Sequence, residues 1–432
     1  MHIPDGYLSP VVSLGMGGAT VPTWAVATRK VRDVLDNRTV PLLAIFSAMS
    51  FTIMMFNVPV PGGTTAHGVG GTLIAIVLGP WAAVIAVSTA LIIQAVFFGD
   101  GGILAIFANC LNMGIILPVV GYLTYRLIAG RAPLLSSRRV WAAGIGAYVG
   151  ITVAALAVGI ELGIQPLLFS EHGHAIYSPY GLREAIPAMV AAHALGASIV
   201  EAVITAFGVT FFQQRHPEYL TSMRRAVLGE EVPVGRHARL GRFVYIGMAI
   251  LLVDLLLVGG LISGHGDPTR LFGANWSQVS WPDVAIMLVI VAVMLAIIVP
   301  AAWLILPKRL RRAGTVFAAV AVTSPLGLIA PGFAYGESGG ADLKQAFGYI
   351  PSGFRRLNGF FSAPLDGYNV KMPFFSGDTA PLWHQAIGYE ISGAVGILLL
   401  GVIVYGGARL LGRGNRHGEM EPSVASRPME AS

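Results

Sequence analysis

The sequence has very little charge for its length. Only 12% of its 432 residues are Asp, Glu, Lys or Arg, whereas a soluble domain carries about 25% charged residues. Hydrophobic residues make up 55% of the chain and form long apolar runs. This composition excludes an ordinary soluble domain and predicts a polytopic membrane protein in contact with lipid.

Cysteine and two common catalytic motifs are also scarce or missing. The single cysteine, Cys110, lies inside an apolar run, so no internal disulfide is possible and we interpret it as a small packing residue. The sequence has no Gly-x-x-x-x-Gly-Lys-Ser/Thr stretch to cradle phosphates and no His-Glu-x-x-His zinc motif. We therefore expect no enzyme, and an active transporter built on this chain would need a separate ATPase.

The apolar runs predict an all-α membrane fold with about eleven helices of bilayer-crossing length. The runs fall at 11–27, 40–58, 66–80, 81–98, 103–124, 140–163, 184–212, 242–262, 282–306, 314–331 and 385–411. The third and fourth are short and are separated only by Gly79-Pro80, so this pair can also be one broken helix. We interpret the first run as a retained span because a signal peptide needs basic residues ahead of it.

The basic residues predict the orientation in the membrane. Lys and Arg gather after the first, fifth, seventh, ninth and eleventh runs. These five segments share one side of the membrane, and the positive-inside rule makes that side cytoplasmic. The net charge of +6 then needs no nucleic-acid partner, and the N-terminus is expected to be extracytoplasmic.

Polar stretches divide the chain into modules. We predict a seven-helix membrane domain over 1–212, a basic cytoplasmic linker over 213–241 and a second membrane domain of about four helices over 242–411. An extracytoplasmic loop is expected at 332–384, and a polar tail at 412–432. The other loops expected on the side of the N-terminus are 59–68, 99–102, 164–183 and 263–281.

The opening decapeptide, MHIPDGYLSP, contains the first candidate site. A free amine on Met1, the amide nitrogen of His2 and the His2 imidazole can close adjacent chelate rings on one metal ion. Nitrogen donors in a plane suit Ni(II), Cu(II) and related divalent ions. The alternative is that His2 is an incidental residue in a frayed terminus.

The loop after the second run, from Asn57 to Gly71, is dense in glycine and proline and contains His67. Irregular backbone at membrane depth is tolerated only where protein or a water-filled cavity satisfies its polar groups. This fits a loop that packs against an inserted N-terminus and presents His67, and a tight turn capped by that histidine is the alternative. Asn57 and Thr64 are candidates to support a ligand from the same loop.

Further polar residues interrupt or flank the apolar runs. Asp100, in the turn FFGDGG, can accept a hydrogen bond from a ligating histidine. Asn109 and Asn112 are three residues apart on one helix face, and they either support the metal or join helices by hydrogen bonds. His193 and Glu201, eight residues apart on the seventh run, are either a functional pair or a structural contact.

Several of these stretches occur together and in a fixed order. They read MHIPDGYL at the start, PGGTTAHGVGGTL at 61–73, FFGDGG at 97–102, NCLNMG at 109–114 and AHALGASIVEAVITA at 192–206. In this combination the chain resembles the substrate-capture component of energy-coupling-factor transporters for cobalt and nickel, the CbiM/NikM family. The resemblance covers about 1–212 and implies a metal site made by the Met1 amine, the amide and imidazole of His2, and His67.

The resemblance also implies a cargo and partners. The cargo is Ni²⁺ or Co²⁺ and no cofactor is expected, while the partners are a membrane permease component and cytoplasmic ATPase subunits. The hairpin 314–411 resembles in layout the small accessory subunit of such systems, and no role is implied for 242–306. Two alternatives remain: a membrane metal sensor or insertion factor that does not transport, and a secondary transporter with His193 and Glu201 as a proton relay.

Overall fold

The computed structural model describes a helical protein with two short hairpins. The described residues are 1–32, 39–60, 64–217, 219–220, 280–306, 308, 311–329, 336–372, 374–375 and 380–413. Their helices are α1 (Pro10–Arg32), α2 (Thr39–Met55), α3 (Gly71–Leu78), α4 (Pro80–Ile93), α5 (Ile106–Asn109), α6 (Leu117–Ala129), α7 (Ser137–Gly163), α8 (Gln165–Leu168), α9 (Leu182–Ala192), α10 (Ser198–Arg215), α11 (Trp281–Ile305), α12 (Arg311–Thr323), α13 (Gly340–Phe347), α14 (Ser352–Leu357) and α15 (Leu382–Arg413). The two antiparallel hairpins are β1 (Val58–Val60) with β2 (Thr64–Ala66), and β3 (Ser170–Glu171) with β4 (His174–Ala175).

The prediction of an all-α membrane fold is confirmed. Six helices in the described part of the chain are long and apolar enough to cross a membrane: Pro80–Phe98, Ile106–Ala129, Ser137–Leu168, Leu182–Arg215, Trp281–Ile305 and Leu382–Gly407. Two shorter apolar helices are Val40–Met55 and Gly314–Leu328. Helix α1 has 23 residues, which is long enough for a span, but it is less apolar than the six.

Three of the long helices contain a π-helical stretch, in which the helix widens by one residue per turn. These stretches are Gln94–Phe98, Cys110–Ile116 and His193–Ala197. Wide turns of this kind are frequent at functional sites. They carry Gln94, Asn112 and His193, three buried polar residues of otherwise apolar helices.

The third apolar run does not form a span, so the prediction of a helix over 66–80 is wrong in its extent. Helix α3 has eight residues, or about 12 Å at 1.5 Å per residue, against a hydrocarbon core of about 30 Å. The stretch before it is strand β2 and an irregular loop that is buried in protein. The predicted break at Gly79-Pro80 is observed, since Gly79 has φ 88° and Pro80 starts α4.

The predicted second domain is described in part. The run 242–262 and residues 221–241 of the linker lie outside the described residues, as do 263–279 of the next loop and 414–432 of the tail. Helices α11 and α15 match two of the predicted runs. The run 314–331 is split, because α12 ends at Thr323 and a 3-10 segment, Ser324–Ile329, follows at Pro325, which has no N–H to donate.

Small residues bring helices of the first domain into backbone contact. A Cβ atom on Gly150 of α7 would lie 2.6 Å from the carbonyl oxygen of Leu117 in α6, and one on Gly146 would lie 2.6 Å from that of Gly121. Close approach through small residues is how membrane helices gain van der Waals contact. Helices α3, α9 and α10 also contact α7 and complete this bundle.

The C-terminal helix belongs to the same bundle. Helix α15 packs along α2, where Gly396 lies against the ring of Phe51. The hydroxyl of Tyr389 in α15 donates a hydrogen bond of 2.6 Å to the carbonyl oxygen of Met55 at the end of α2. The two predicted domains therefore share a helix–helix interface.

Segments that are far apart in the sequence meet at one end of the bundle. Four backbone-acceptor hydrogen bonds join them: Gly102 N to Ile3 O (2.8 Å), Ser178 N to Tyr7 O (3.0 Å), Leu365 N to Phe97 O (2.9 Å) and Tyr7 Oη to Ser338 O (2.8 Å). The distribution of basic residues places these same segments together on the side of the N-terminus. The structure brings them into direct contact around residues 1–9.

The packing of Gly102 predicts one stability effect. A Cβ atom on this residue would overlap the main chain and carboxylate of Asp5 and come within 2.7 Å of the Pro4 carbonyl carbon. We expect Gly102→Ala to displace the N-terminal segment and to cost roughly 1–3 kcal/mol of stability, as overpacking does. Thermal unfolding of the purified protein in detergent measures this loss.

Gly18→Ala is the matched control, because a Cβ atom there has no heavy atom within 4 Å and the residue lies inside α1. Alanine in a helix interior is neutral or stabilising relative to glycine. Equal unfolding temperatures for Gly102→Ala and the unmodified protein would contradict the tight docking of the N-terminal segment.

Candidate metal site

Eight of the first nine residues are buried, all but the half-buried Pro4, although the segment forms no helix or strand. Ile3 is 1% exposed and Tyr7 0% exposed. Buried backbone groups need hydrogen-bond partners, and Asn109 provides them for Ile3. Its Oδ1 accepts from the Ile3 N–H at 2.8 Å and its Nδ2 donates to the Ile3 carbonyl oxygen at 3.1 Å. Asn109 therefore anchors the N-terminal segment.

A turn and a cap complete the insertion of this segment. Gly6 has φ 92°, and a Cβ atom on it would lie 2.8 Å from the Cα atom of Phe354 in α14, so this position accepts only glycine without a shift. Asp5 Oδ1 accepts from the Leu104 N–H at 2.8 Å. Ser9 then starts α1, because its Oγ accepts from the Val12 N–H at 3.2 Å.

The two histidines predicted as ligands lie side by side. The Nε2 atom of His67 is 3.2 Å from the Nδ1 atom of His2, and the ring centroids are 5.0 Å apart. Both side chains are buried, with 4% exposure for His2 and 5% for His67. The structure thus joins two positions that are 65 residues apart in the sequence, as the sequence predicts.

Their other nitrogens indicate which tautomers they adopt. His67 Nδ1 is 2.9 Å from the carbonyl oxygen of Gly68, so this nitrogen carries the hydrogen and Nε2 has the lone pair. His2 Nε2 is 3.3 Å from Gln94 Oε1, and with the hydrogen there the lone pair of His2 is on Nδ1. The two lone pairs then face each other across 3.2 Å.

The carboxylate of Asp100 and the hydroxyl of Tyr368 complete the lining of the site beside His2. Asp100 Oδ1 is 3.2 Å from His2 Nδ1, the same nitrogen that His67 Nε2 approaches. Asp100 Oδ2 accepts a hydrogen bond from the Tyr368 hydroxyl at 2.6 Å. Gln94 Nε2 donates to the same Tyr368 oxygen at 2.8 Å and to Asp100 Oδ2 at 3.2 Å.

The main-chain nitrogens of the first two residues lie in the same enclosure. The Met1 amine is 3.7 Å from Glu337 Oε1, in the segment ahead of α13. Among the described residues, none accepts a hydrogen bond from the His2 backbone N–H. No group of three His, Cys, Asp or Glu side chains in the described ranges is arranged to hold a metal ion.

The enclosure keeps both imidazoles neutral. Burial and, to a smaller extent, the positive charge of the nearby amine together lower the pKa of His2 to about 3. The same two causes lower the pKa of His67 to about 3. At neutral pH both rings are therefore unprotonated and have free lone pairs, which is the state that binds a metal.

Glu201 holds the loop that carries His67. Its Oε2 atom accepts hydrogen bonds from the Val69 N–H at 2.7 Å and the Gly70 N–H at 2.8 Å. A Cβ atom on Gly68 would lie 3.2 Å from the same oxygen. The side chain is 0% exposed, so Glu201 replaces water as the partner of this irregular backbone.

The remaining predicted residues have other partners. Asn112 donates to Glu161 of α7 at 2.8 Å, away from Asn109, because the π-helical stretch that starts at Cys110 rotates it off the shared face. His193 Nδ1 donates to the Met189 carbonyl oxygen at 2.8 Å and not to Glu201. Asn57 lies with its backbone against Gly327, and Thr64 pairs with Val60 in the hairpin.

Sequence reasoning missed three residues of the site. Gln94 is an amide inside an apolar run, the same signal that marks Asn109, and it could have been found in this way. Glu337 and Tyr368 are 336 and 366 residues from Met1 and His2 in the numbering. No local pattern marks either residue, because their positions depend on how the C-terminal segment packs on the bundle.

Comparison with known proteins places the chain among metal transporters. A family model described as CbiM, cobalt uptake substrate-specific transmembrane region, matches residues 2–219. A fused nickel transport protein, NikMN, from Rhodobacter capsulatus is 38% identical over 96% of this chain and 99% of its own length. A probable fused nickel transport protein, LarMN, from Lactiplantibacillus plantarum is 44% identical over 63% of this chain and 79% of its own.

A solved structure is also similar in sequence. It is the crystal structure of a truncated transition metal transporter, which is 55% identical in sequence to this chain. The alignment covers 50% of this chain and 100% of the solved chain, with a TM-score of 0.47.

The role of Glu201 leads to a prediction that separates support of the loop from proton relay. Removing the carboxylate in Glu201→Ala leaves the Val69 and Gly70 amides unpaired, at a cost of about 1–3 kcal/mol per buried group. Glu201→Gln keeps a carbonyl oxygen for them. We expect nickel affinity to fall strongly in Glu201→Ala and much less in Glu201→Gln, measured by competition with a chelator.

A proton relay would give a different order. A relay needs a group that ionises, so Glu201→Gln would then abolish uptake as completely as Glu201→Ala while metal binding is retained. Uptake by cells at equal membrane abundance of the two variants distinguishes the two roles.

Proposed function

The chain belongs to the cobalt uptake substrate-specific transmembrane (CbiM) family, and we propose that it captures Ni²⁺ or Co²⁺ through an N-terminal nitrogen chelate for an ATP-driven importer. It is a multi-pass nickel or cobalt transport membrane protein of the CbiM/NikMN type. The donors in the proposal are the Met1 amine, the His2 amide nitrogen, His2 Nδ1 and His67 Nε2.

The observation that carries the proposal is the approach of His67 Nε2 to within 3.2 Å of His2 Nδ1. With the ring hydrogen of His2 on Nε2, both of these nitrogens present lone pairs that one cation can accept together. Neighbouring nitrogens of a planar site with metal–nitrogen bonds of about 2.0–2.1 Å are about 2.8–3.0 Å apart. The two rings therefore need to move by only a few tenths of an ångström to hold one ion.

The other two donors follow from the covalent structure of the terminus. Once His2 Nδ1 binds an ion, the His2 amide nitrogen is close enough to close a six-membered ring, and the Met1 amine a five-membered ring. The imidazole is already aimed through Nδ1, the nitrogen that such a chelate uses. The amine and the amide must both release protons to bind, so affinity is expected to rise with pH.

The donor set and its burial account for selectivity. Four nitrogens in a plane suit Ni(II) and related ions, whereas Mg²⁺ and Ca²⁺ require oxygen ligands. The side chains of His2 and His67 are almost completely buried, so an ion must lose its hydration shell on entry. This favours ions for which the binding free energy from nitrogen ligands exceeds the hydration free energy that is lost on entry.

Transport requires partners in this proposal. The sequence has no phosphate-binding Gly-x-x-x-x-Gly-Lys-Ser/Thr stretch, so ATP hydrolysis is assigned to separate subunits that act with a membrane permease component. A relative of matching length is a fused nickel transport protein. We therefore assign residues 242–411 to an accessory domain fused to the capture domain, with the N-terminus and the loop 332–384 on the extracytoplasmic side.

The central experiment changes the terminus itself. A single residue added before Met1 converts the amine into a peptide nitrogen and moves the histidine to the third position, so the ring sequence changes. We expect this variant, and His67→Ala, to lose tight nickel and cobalt binding while remaining folded. Metal content and chelator competition on purified protein, with the first residue verified by mass spectrometry, measure the effect.

The same residue added after Ser432 is the matched control and is expected to bind and take up metal normally. A free amine with a histidine in the third position can itself chelate Ni(II), so the decisive variant for His2 is His2→Ala. Normal metal binding by a folded His2→Ala variant would remove His2 from the site. Normal binding by a folded His67→Ala variant would remove His67.

The orientation is tested by labelling. Phe360 is 65% exposed and lies in the segment assigned to the outside, whereas Arg131 is an exposed residue between α6 and α7. In intact cells we expect an impermeant thiol reagent to label Phe360→Cys and not Arg131→Cys. The native Cys110 is buried and serves as the background, and the opposite labelling pattern would invert the topology.

A further inference from the structure

Tyr368 belongs to the C-terminal part of the chain and yet is hydrogen-bonded into the His2 enclosure. We propose that Tyr368 is a positioning residue, which holds the His2 imidazole in the tautomer that presents Nδ1 to the metal. The inference rests on the proposed chelate. It assigns to the C-terminal domain a direct part in shaping the site of the N-terminal domain.

The backbone of Tyr368 is held in an unusual conformation. Gly367 has φ 64° and Tyr368 has φ 59°, so two consecutive residues are left-handed. Such values are uncommon for a residue with a Cβ atom and persist only where the surroundings fix them. Here the ring is stacked on Phe98 with centroids 4.9 Å apart, and Tyr368 is 7% exposed.

This placement gives the Tyr368 hydroxyl two partners with opposite roles. It donates to Asp100 Oδ2 at 2.6 Å and accepts from Gln94 Nε2 at 2.8 Å. A carboxylate only accepts hydrogen bonds, so the Gln94 atom 3.2 Å from Asp100 Oδ2 is the amide nitrogen. The amide oxygen of Gln94 is thereby turned towards His2 Nε2, at 3.3 Å.

Three acceptors compete for the single ring hydrogen of His2. Asp100 Oδ1 and His67 Nε2, each 3.2 Å from Nδ1, favour the hydrogen on Nδ1, where it blocks the metal. Gln94 Oε1 favours the hydrogen on Nε2, which leaves Nδ1 free. The short hydrogen bond from Tyr368 makes the Asp100 carboxylate a weaker acceptor, and the second bond fixes the Gln94 amide. Both effects favour the metal-binding tautomer.

Tyr389 provides a matched control in the same aromatic cluster. Its ring centroid is 5.3 Å from that of Tyr368, and its hydroxyl donates to the Met55 carbonyl oxygen at 2.6 Å. Tyr368→Phe and Tyr389→Phe therefore each remove one buried hydroxyl and keep the ring. Only the first removes a bond to Asp100 and Gln94.

The experiment compares these variants in the full-length purified chain. Nickel affinity is measured by chelator competition, and the ligand field by the visible absorption of the Ni(II)-loaded and Cu(II)-loaded proteins. We expect Tyr368→Phe to bind nickel about tenfold more weakly, as the loss of a partner behind a metal ligand does, with a shifted absorption band. Tyr389→Phe is expected to match the unmodified protein in both measurements.

A second variant tests whether Tyr368 acts through Gln94. Gln94→Met keeps the side-chain length but removes the amide that orients His2, and it is expected to weaken binding by itself. If the proposal is correct, Tyr368→Phe combined with Gln94→Met loses less affinity than the two single losses added together. Fully additive losses would show that the two residues act independently and would overturn the proposal.

The remaining outcomes are also decisive. If the unmodified protein binds nickel in a His67-dependent manner and Tyr368→Phe equals Tyr389→Phe in affinity and absorption, this inference fails while the proposed function stands. If the unmodified protein binds neither nickel nor cobalt, or binds them independently of His67, the proposed function fails and this inference with it.

Discussion

The structure depends on a constraint at its N-terminus. The segment before α1 is buried but forms no helix or strand, so its backbone N–H and C=O groups need hydrogen-bond partners from elsewhere in the chain. Side chains from distant helices supply the partners instead. Asn109 pairs with Ile3 in the way that a neighbouring strand would, and Gln165 accepts from the Ser9 N–H at 3.0 Å. Because unpaired amides in an apolar environment cost several kcal/mol each, these polar residues decide where His2 can lie.

The loop that carries His67 follows the same physical rule from the opposite side. It too is irregular and buried, and Glu201 pairs with its amides at 2.7 and 2.8 Å. Two irregular segments are thus held by side chains of the helices, and the imidazoles meet between them.

Asn109 is predicted because it interrupts an apolar run, whereas His2, His67 and Asp100 are predicted from the polar or glycine-rich segments beside the runs. The structure places all four around the enclosure. The predicted helix over 66–80 is wrong in its extent because hydropathy does not show that residues 66–70 form the end of a strand and a loop. Tyr368 could not be found, since its contact with Asp100 joins residues 268 apart and depends on the packing of α15 against α2.

The arrangement also ties loading of the ion to the seating of the terminus. Two of the four proposed nitrogens belong to the backbone of residues one and two, so the site exists only when this segment is docked. Part of the metal-binding free energy is then used to order it. Glu337 faces the Met1 amine at 3.7 Å and partly compensates its charge.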